Sequence, residues 1–308
     1  MIHGILNVYK EKGYTSHDVV AKLRGIVGQK KIGHTGTLDP DAVGVLPVCL
    51  GKATKLCDML TDKDKTYEAI LLLGRSTDTQ DTSGATLTTR DTSALTEEKV
   101  TEVIESYVGE YDQIPPMYSA LKVNGKKLYE LAREGKVVER KARRVVIYQI
   151  RILKMELPRV KMEVSCSKGT YIRTLCHDIG ETLGCGGCME SLVRTRVSSF
   201  RIADSMTLEE ISQKCMKDCL MDVVIPIDAM FQEYQRIVVK RSWDFLAKNG
   251  NSLPMNAVYF ENEEKSREKV DGDYMRLYDE QGHFVAIYSW NDEKKEYQII
   301  KMFFCEDK

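Results

Sequence analysis

The chain has 308 residues, of which 43% are hydrophobic and 30% are charged. This composition is typical of a globular protein in water, and the length allows two domains. The longest aliphatic run, Ala69 to Leu73, is far too short to cross a bilayer, and Met1 to Gly13 lacks the basic and apolar regions of a secretory signal. These features argue against a membrane-spanning or exported protein, and we expect a cytoplasmic one.

The first 200 residues mix helices and strands without the regular alternation of a doubly wound sheet. Apolar residues at helical spacing predict helices after an N-cap at Ser16, from Leu95 to Tyr107 and from Thr170 to Leu183. Further segments predict strands at 4–10, 67–73, 145–155, 160–166 and 192–202, an extended segment at 118–123, and helices at 53–60 and 127–133. This order of elements favours an α+β fold.

The composition changes near Ile227-Asp228. A short helix is predicted from Trp243 to Lys248, and short strands follow at 257–260, 274–278, 284–289 and 297–304. Turn signals such as Asp271-Gly272 separate the strands, a pattern typical of a small barrel. We therefore predict two domains, residues 1–228 and residues 229–308.

Charge is distributed unevenly along the chain, although the net charge is −1 and the pI is about 6.6. Between Lys122 and Arg144 there are nine Lys/Arg and three Glu, and nine minus three gives +6. From Glu261 to Lys308, thirteen acids and eight bases give −5. The balanced total argues against a nucleic-acid-binding protein, but it hides a basic segment suited to phosphate.

Nine cysteines are present, and a chain of this size does not need a disulfide framework to build its core. Two pairs, Cys185/Cys188 and Cys215/Cys219, permit a four-thiolate zinc site as an alternative. The second pair lies on a predicted helix after Thr207, and we favour free buried thiols.

The most unusual stretch is residues 33–47, which contain three glycines and two prolines and lead into an apolar run from Val45 to Leu50. Pro40 disfavours helical geometry at Asp39, so this carboxylate is held in an extended backbone. An isolated Asp-Pro is most often an ordinary turn. The whole stretch indicates a stiff loop that presents one carboxylate at the edge of a packed element.

Several blocks occur in the order of a known family's motifs: Gly33 to Pro40 with Gly44 to Pro47, Lys65 to Tyr67, Arg75 to Asp81, Ile114 to Lys122, Ser167 to Thr174 and Leu192 to Arg194. Together they resemble the TruB family of tRNA pseudouridine-55 synthases, over roughly residues 2–200. The C-terminal part resembles the PUA-like module of that family less closely.

The resemblance implies a pseudouridine-synthase domain with a mixed, largely antiparallel sheet flanked by helices, and a small C-terminal PUA-like β-barrel. It implies isomerisation of uridine-55 in the T arm of tRNA, with tRNA as the partner of a monomeric enzyme. The reaction breaks the N1–C1′ bond and rejoins the base through C5 without redox change. Neither a cofactor nor a metal is therefore required.

Three residues match the family's catalytic positions. Asp39 matches the nucleophile, and an aspartate is ionised at neutral pH. Arg173 matches an arginine that would pair with Asp39 and orient it. Tyr67 matches a tyrosine that stacks on the target base. Attack at C1′, attack at C6 and a glycal route all stay open.

The resemblance also implies a set of substrate-binding residues. A base inside a folded tRNA arm must be flipped out before it can react, and His34 would take the vacated place. Asp81 would hold Arg173 from its other side. The remaining predicted contacts are apolar walls at Tyr171 and Leu192, phosphate contacts at Lys10, Lys122 and Lys168, and an RNA-gripping basic insertion at residues 117–146.

Two alternatives share these motifs. The first is a non-catalytic tRNA-folding module that uses the same groove; full cellular function of an Asp39 variant would favour it, and the two roles are compatible. The second is a guide-dependent subunit of a ribonucleoprotein, which activity of the isolated chain would exclude.

Overall fold

The computed structural model describes residues 1–61, 63–123, 125–260 and 270–304. The described chain forms two compact units. The larger unit comprises residues 7–48 and 56–220, and the smaller unit comprises residues 1–6, 49–55 and 221–308. The charge count from Glu261 to Lys308 includes residues 261–269 and 305–308, which lie outside the described part of the chain. Within the described part, no helix is long and apolar enough to span a bilayer.

The strands and helices that begin before residue 220 alternate irregularly. In chain order they are β1 (Gly4–Lys10), α1 (Ser16–Val27), β2 (Ile32–His34), β3 (Val43–Leu50), α2 (Cys57–Thr61), β4 (Lys65–Leu73), β5 (Arg75–Thr77), β6 (Thr86–Thr89), α3 (Glu97–Glu105), β7 (Gly109–Gln113), β8 (Lys122–Val123), β9 (Lys126–Lys127), α4 (Leu128–Arg133), β10 (Arg143–Glu156), β11 (Arg159–Cys166), α5 (Ile172–Thr182), β12 (Gly187–Val197), β13 (Phe200–Arg201) and α6 (Leu208–Met216).

One large sheet organises the larger unit. Its strand order is β1-β3-β12-β4-β11-β10-β7, with β2 paired to β3 and β13 paired to β12. The central pairs β12/β4, β4/β11 and β11/β10 are antiparallel, whereas β12/β3 is parallel. Alternate residues of β11 are buried, as expected of a strand with one face on a core. The prediction of an α+β fold with a mixed, largely antiparallel sheet is confirmed.

The N-cap of the first helix lies one residue before the predicted cap. Thr15 is the N-cap, and its side chain and that of Asp18 form a reciprocal capping box. Ser16, which the sequence suggested as the cap, is fully buried, and its Oγ accepts a hydrogen bond from the backbone N–H of Leu38 at 2.9 Å. The helix ends at Gly28 in the left-handed conformation.

Strand β12 begins five residues earlier than the prediction of 192–202. Gly187, which lies outside the predicted strand, pairs with Leu73 of β4. A Cβ at Gly187 would lie 2.6 Å from the carbonyl oxygen of Cys176, so glycine lets α5 pack directly on the strand. This close packing could not be read from local propensity.

The smaller unit contains a second, barrel-like sheet. Its elements are β14 (Gln235–Val239), α7 (Asp244–Lys248), β15 (Leu253–Pro254), β16 (Val258–Phe260), β17 (Tyr274–Tyr278), β18 (Phe284–Asn291) and β19 (Glu296–Met302). The six strands have the order β15-β19-β18-β17-β14-β16. The predicted short helix and the short strands after it are confirmed, and the sheet is consistent with the expected PUA-like barrel. The domain boundary at residue 228 stays a prediction, and the compact units place residues 1–6 and 49–55 with the C-terminal strands.

Candidate active site

Backbone and side-chain hydrogen bonds anchor the loop that carries Asp39. The backbone N–H of Gly13 donates to the carbonyl of Pro40 at 2.9 Å, and that of Thr35 donates to the carbonyl of Pro47 at 3.1 Å. Buried Ser16 accepts from the residue directly before Asp39. These bonds fix the backbone on both sides of the carboxylate, as the sequence of the loop predicted.

Asp39 and Arg173 form a two-pronged ion pair. Arg173 Nε lies 2.9 Å from Asp39 Oδ2, and its Nη2 donates to Asp39 Oδ1 at 3.2 Å. The Arg173 side chain is 5% exposed and that of Asp39 is 40% exposed. The guanidinium therefore lies within the protein while the carboxylate keeps an open side, and paired geometry of this kind fixes the plane of the carboxylate.

Arg173 is held by three further groups. It donates through Nη1 to the carbonyl of Thr79 at 3.0 Å and through Nη2 to the carbonyl of Tyr118 at 2.8 Å. Asp81 lies 3.9 Å away, an ion-pair distance that is too long for a hydrogen bond. Asp81 Oδ1 accepts from Thr79 and Ser83. The structure thus brings Asp81 to Arg173 as expected, with backbone carbonyls as the closer partners.

A second buried arginine supports the same loop. Arg194 is 1% exposed, and its Nε donates to the carbonyl of Val45 at 2.7 Å. Longer contacts of 3.4 Å join its two terminal nitrogens to the carbonyls of Thr37 and Gly36. Arg194 therefore connects β12 to both ends of the loop that holds Asp39.

Tyr67 lies opposite Arg194 in the register of β4 and β12. Burial raises the pKa of Tyr67 to about 12, although the positive charge of Arg194 opposes this rise and Asp39 adds to it. The phenol is therefore neutral at physiological pH and serves as a donor and as an aromatic surface.

Gly44 is required where β3 meets β12. Its φ is +108°, a region that side-chain-bearing residues rarely adopt. It pairs with Arg194 in the parallel ladder, and a Cβ there would clash with the Arg194 backbone. This glycine therefore allows the loop strand to approach the strand that carries the buried arginine.

Lys10 is placed differently from the predicted phosphate contact. It is 0% exposed, and its ammonium donates to the carbonyls of Pro40 at 3.0 Å and Glu11 at 3.1 Å. Burial lowers its pKa to about 8, against the opposing pull of Asp39 and Asp41. A side chain enclosed under the loop does not reach a phosphate in this conformation; Lys10 supports the loop here, and its phosphate contact stays a prediction.

His34, Tyr171 and Leu192 occupy positions of differing exposure. His34 is partly buried, its ring packs edge-on against His17 at 5.2 Å, and burial lowers its pKa. Tyr171 is half-buried, and its backbone exchanges two hydrogen bonds with Gln113. Leu192 is buried in the core of the larger unit. A neutral His34 and a fixed Tyr171 are suited to stacking, but their contacts with a base stay predictions.

The basic segment carries less free charge than its composition suggests. Arg144 is paired with Glu110 and Asp112, and both Lys126 and Lys136 are paired with Glu134. Lys122 is exposed and forms no ion pair among the described residues. Lys168 is also exposed. The predicted contacts of Lys122 and Lys168 are thus at accessible positions.

The described residues give no support to the zinc alternative. No group of three or more His, Cys, Asp or Glu side chains that could hold a metal occurs among them. Cys185 and Cys188 are buried free thiols, and Cys215 and Cys219 are partly exposed free thiols.

Sequence reasoning missed three supports of the site: Arg194, Ser16 and Gln113. One of them left a readable signal. Arg194 shares a strand face with Leu192, and an arginine on the apolar face of a strand is rare unless it is paired. Ser16 and Gln113 left no such signal, because their partners are backbone groups that only the tertiary fold brings near.

The arrangement provides one accessible carboxylate with a fixed orientation, a buried guanidinium behind it, and a neutral phenol nearby. A carboxylate held in this way is suited to nucleophilic attack on an electrophilic carbon or to proton transfer with an adjacent atom.

Comparisons with known proteins place this site in a family context. A model of the TruB family pseudouridylate synthase N-terminal domain matches residues 24–172, and a model of the tRNA pseudouridylate synthase B C-terminal domain matches residues 173–232. A protein of Lachnoclostridium phytofermentans named tRNA pseudouridine synthase B is 54% identical over 98% of this chain and 100% of its own length. A protein of the same name from Clostridium tetani is 42% identical over 98% of this chain and 99% of its own length. A chain in a solved Cbf5-Nop10-Gar1 complex has a TM-score of 0.72 and 26% identity, covering 99% of this chain and 86% of that chain.

Proposed function

Because this chain belongs to the TruB family of pseudouridine synthases, we infer that it isomerises uridine-55 in the T arm of tRNA to pseudouridine. The observation that carries this function is the ion pair between accessible Asp39 and buried Arg173. A module that only bound RNA would have no use for a buried guanidinium that orients one exposed carboxylate. The non-catalytic alternative is therefore not favoured.

In the proposed mechanism, the target nucleoside leaves the stacked T loop, at a cost of about a few kcal/mol, and enters beside Asp39. The neutral His34 ring stacks in the vacated place and offsets part of that cost. Tyr67 packs on the uracil, and Tyr171 and Leu192 form the apolar walls. Asp39 then starts the isomerisation by one of the three routes left open above, and the N1–C1′ bond breaks. The base turns, a C5–C1′ bond forms as the C5 proton leaves to solvent, and N1 takes up a proton. Any covalent bond formed with Asp39 breaks again before the product leaves, so the free carboxylate is regenerated.

Arg173 acts as a positioning residue in this proposal. Its two bonds to Asp39 hold the carboxylate plane toward the substrate while Thr79 and Tyr118 fix the guanidinium. Because the folded protein already holds the carboxylate of Asp39 in the reactive orientation, less entropy is lost on reaching the transition state. Asp81 supports the same charge at a longer distance.

We further propose that the chain works alone, as a cytoplasmic monomer with tRNA as its partner, with phosphate contacts from Lys122, Lys168 and the segment 117–146. The accessible positions of Lys122 and Lys168 support these contacts. Activity of the purified chain, with a monomeric mass from light scattering, is the expected result. A requirement for a guide RNA or a second protein would contradict this proposal.

The direct test is tritium release from tRNA transcripts labelled at uridine C5. Asp39→Asn keeps the shape of the side chain but removes its charge, and we expect release to fall to the uncatalysed level while tRNA binding changes little. Asp41→Asn is the matched control, since Asp41 is an exposed acid two residues away. Equal losses in both variants, or a parallel loss of tRNA binding in Asp39→Asn, would show that Asp39 has a structural role instead.

A further inference from the structure

A cleft of about 510 Å³ lies within the smaller unit. Its walls come from the N-terminal segments of that unit, from α7, from the turn between β17 and β18, and from the residues that follow β19. The volume is within the range of small-molecule sites in proteins. None of its lining residues belongs to the candidate active site.

One side of the cleft holds a lysine whose charge has no partner among the residues that the structure describes. Lys52 is 9% exposed, and its ammonium nitrogen is buried without a hydrogen-bond acceptor among the described residues. The ring centroid of Phe304 lies 5.9 Å from this nitrogen. The Lys52 backbone is fixed, because its N–H donates to His3 Nδ1 at 3.1 Å. A buried charge without a partner is costly, and proteins usually supply a counter-charge.

The acids around the cleft do not supply that counter-charge. Asp279 accepts bonds from the backbone and ring of His283 and lies 3.3 Å from the ammonium of Lys248. Asp228 accepts from the hydroxyl of Tyr278 at 2.6 Å. Each carboxylate is thus satisfied by its own neighbours, and the positive charge of Lys52 remains for a ligand.

The other walls of the cleft are aromatic. Phe284 and Phe303 stack with centroids 5.4 Å apart and planes 25° from parallel. Phe304 also lies 4.5 Å from the ammonium of Lys248, so two lysines border this ring. Aromatic side chains of this kind can pack against a planar ring of a ligand. Because lysines lie beside these side chains, the cleft suits a ligand that has both an aromatic ring and an anionic group.

We propose that this cleft binds a nucleotide through its phosphate group, with Lys52 as the principal cation and the phenylalanines beside the base. In this proposal the ammonium of Lys52 pairs with a phosphate oxygen of the nucleotide. The phosphate is carried by a free mononucleotide or by the end of an RNA chain, and both present the same chemistry. This site is independent of the proposed isomerase activity.

Calorimetric titration of the full chain tests the proposal. We expect uridine monophosphate to bind with a Kd in the millimolar range or tighter, and uridine to bind at least tenfold more weakly because it lacks the phosphate. Lys52→Met should weaken binding of the monophosphate at least tenfold. Lys294→Met, which removes an exposed positive charge from the same unit, should leave it unchanged. A dinucleotide that carries a 5′-phosphate identifies the source of the phosphate, and the same dinucleotide without that phosphate is its control. Binding tighter than that of uridine monophosphate indicates an RNA end, and weaker binding indicates a free nucleotide.

Thermal unfolding gives a second readout. Lys52→Met removes a charge that lacks a partner, so its melting temperature without ligand should equal or exceed that of the wild type, while uridine monophosphate should stabilise only the wild type. Lys52→Arg keeps the charge and should keep binding; Lys52→Gln replaces Lys52→Met if that variant does not fold. Absence of binding to the wild type at millimolar concentration overturns the proposal. So does binding that Lys52→Met leaves intact, because the nucleotide would then occupy another site.

Discussion

Replacing Arg173 by lysine isolates the geometry of the Asp39 ion pair from its charge. The lysine keeps the positive charge but has a single ammonium, which cannot reproduce the two bonds of 2.9 Å and 3.2 Å to the carboxylate. Loss of one charge-assisted hydrogen bond corresponds to about 1.5–3 kcal/mol. If that bond orients the nucleophile in the transition state, kcat should fall roughly 10- to 150-fold.

The assay is steady-state tritium release, with tRNA affinity measured separately by filter binding. Arg173 is 5% exposed, so the variant should bind tRNA as the wild type does, and the loss should appear in kcat. Arg159→Lys is the matched control, because Arg159 forms a two-pronged pair with Glu190 but its side chain is 55% exposed. An exposed pair contributes about 0–1 kcal/mol, so this control should keep full activity.

A kcat of Arg173→Lys within twofold of the wild type would refute the reasoning, because the second bond would then have no part in orienting Asp39. A loss confined to tRNA affinity would refute it as well, since a residue enclosed behind the carboxylate has no direct contact with RNA in this account.

Three further predictions concern the supports of the site and the RNA contacts. Burial lowers the pKa of Lys10 to about 8, so the folded chain binds fewer protons than the unfolded chain between about pH 8 and 10.5. The free energy of unfolding of the wild type, relative to that of Lys10→Met, should therefore rise across that window by up to roughly 3 kcal/mol. Urea unfolding at several pH values measures this difference, and a difference that does not change with pH would contradict the prediction. Ser16→Ala leaves the backbone N–H of Leu38 without its acceptor and should cost about 1–3 kcal/mol in unfolding free energy, so a change within experimental error would contradict the bond. Lys122→Met should weaken tRNA binding and reduce the slope of log K against log salt by about one, whereas Lys126→Met, which removes a cation already paired with an acid, should change the slope less; equal slopes would argue against the contact.

The main secondary structure follows from local patterns that are visible in the sequence. The helix at Glu97–Glu105 was expected from the apolar spacing of Val100, Val103 and Ile104, which are all buried. The strands at Arg143–Glu156 and Arg159–Cys166 were expected as a pair, and they are antiparallel neighbours. Errors occur at boundaries, as at Ser16 and Gly187, where tertiary contacts replace the local signal.

The candidate site was predictable where its chemistry lies in a contiguous stretch. The loop around Asp39 is unusual in its glycines and prolines, the block around Arg173 was singled out by the family resemblance, and the structure joins the two at ion-pair distance. The support that Lys10 gives the loop was missed because a lysine in a sequence reads as a solvated charge, and only the fold encloses it beneath Pro40. The charge count between Lys122 and Arg144 left out Glu110 and Asp112, which lie on β7 and pair with Arg144.

The sequence by itself determined the α+β class and the order of the elements, because period and turn chemistry are properties of neighbouring residues, and its resemblance to a family singled out Asp39 as the candidate nucleophile. The tertiary structure decided which cations are available to a ligand. Arg173, Arg194 and Lys10 are enclosed by carbonyl groups from distant segments, whereas Lys52 is enclosed with no acceptor in the described part of the chain. Burial and partnership depend on what the fold brings within about 3 Å of a charge, and no local pattern encodes that distance.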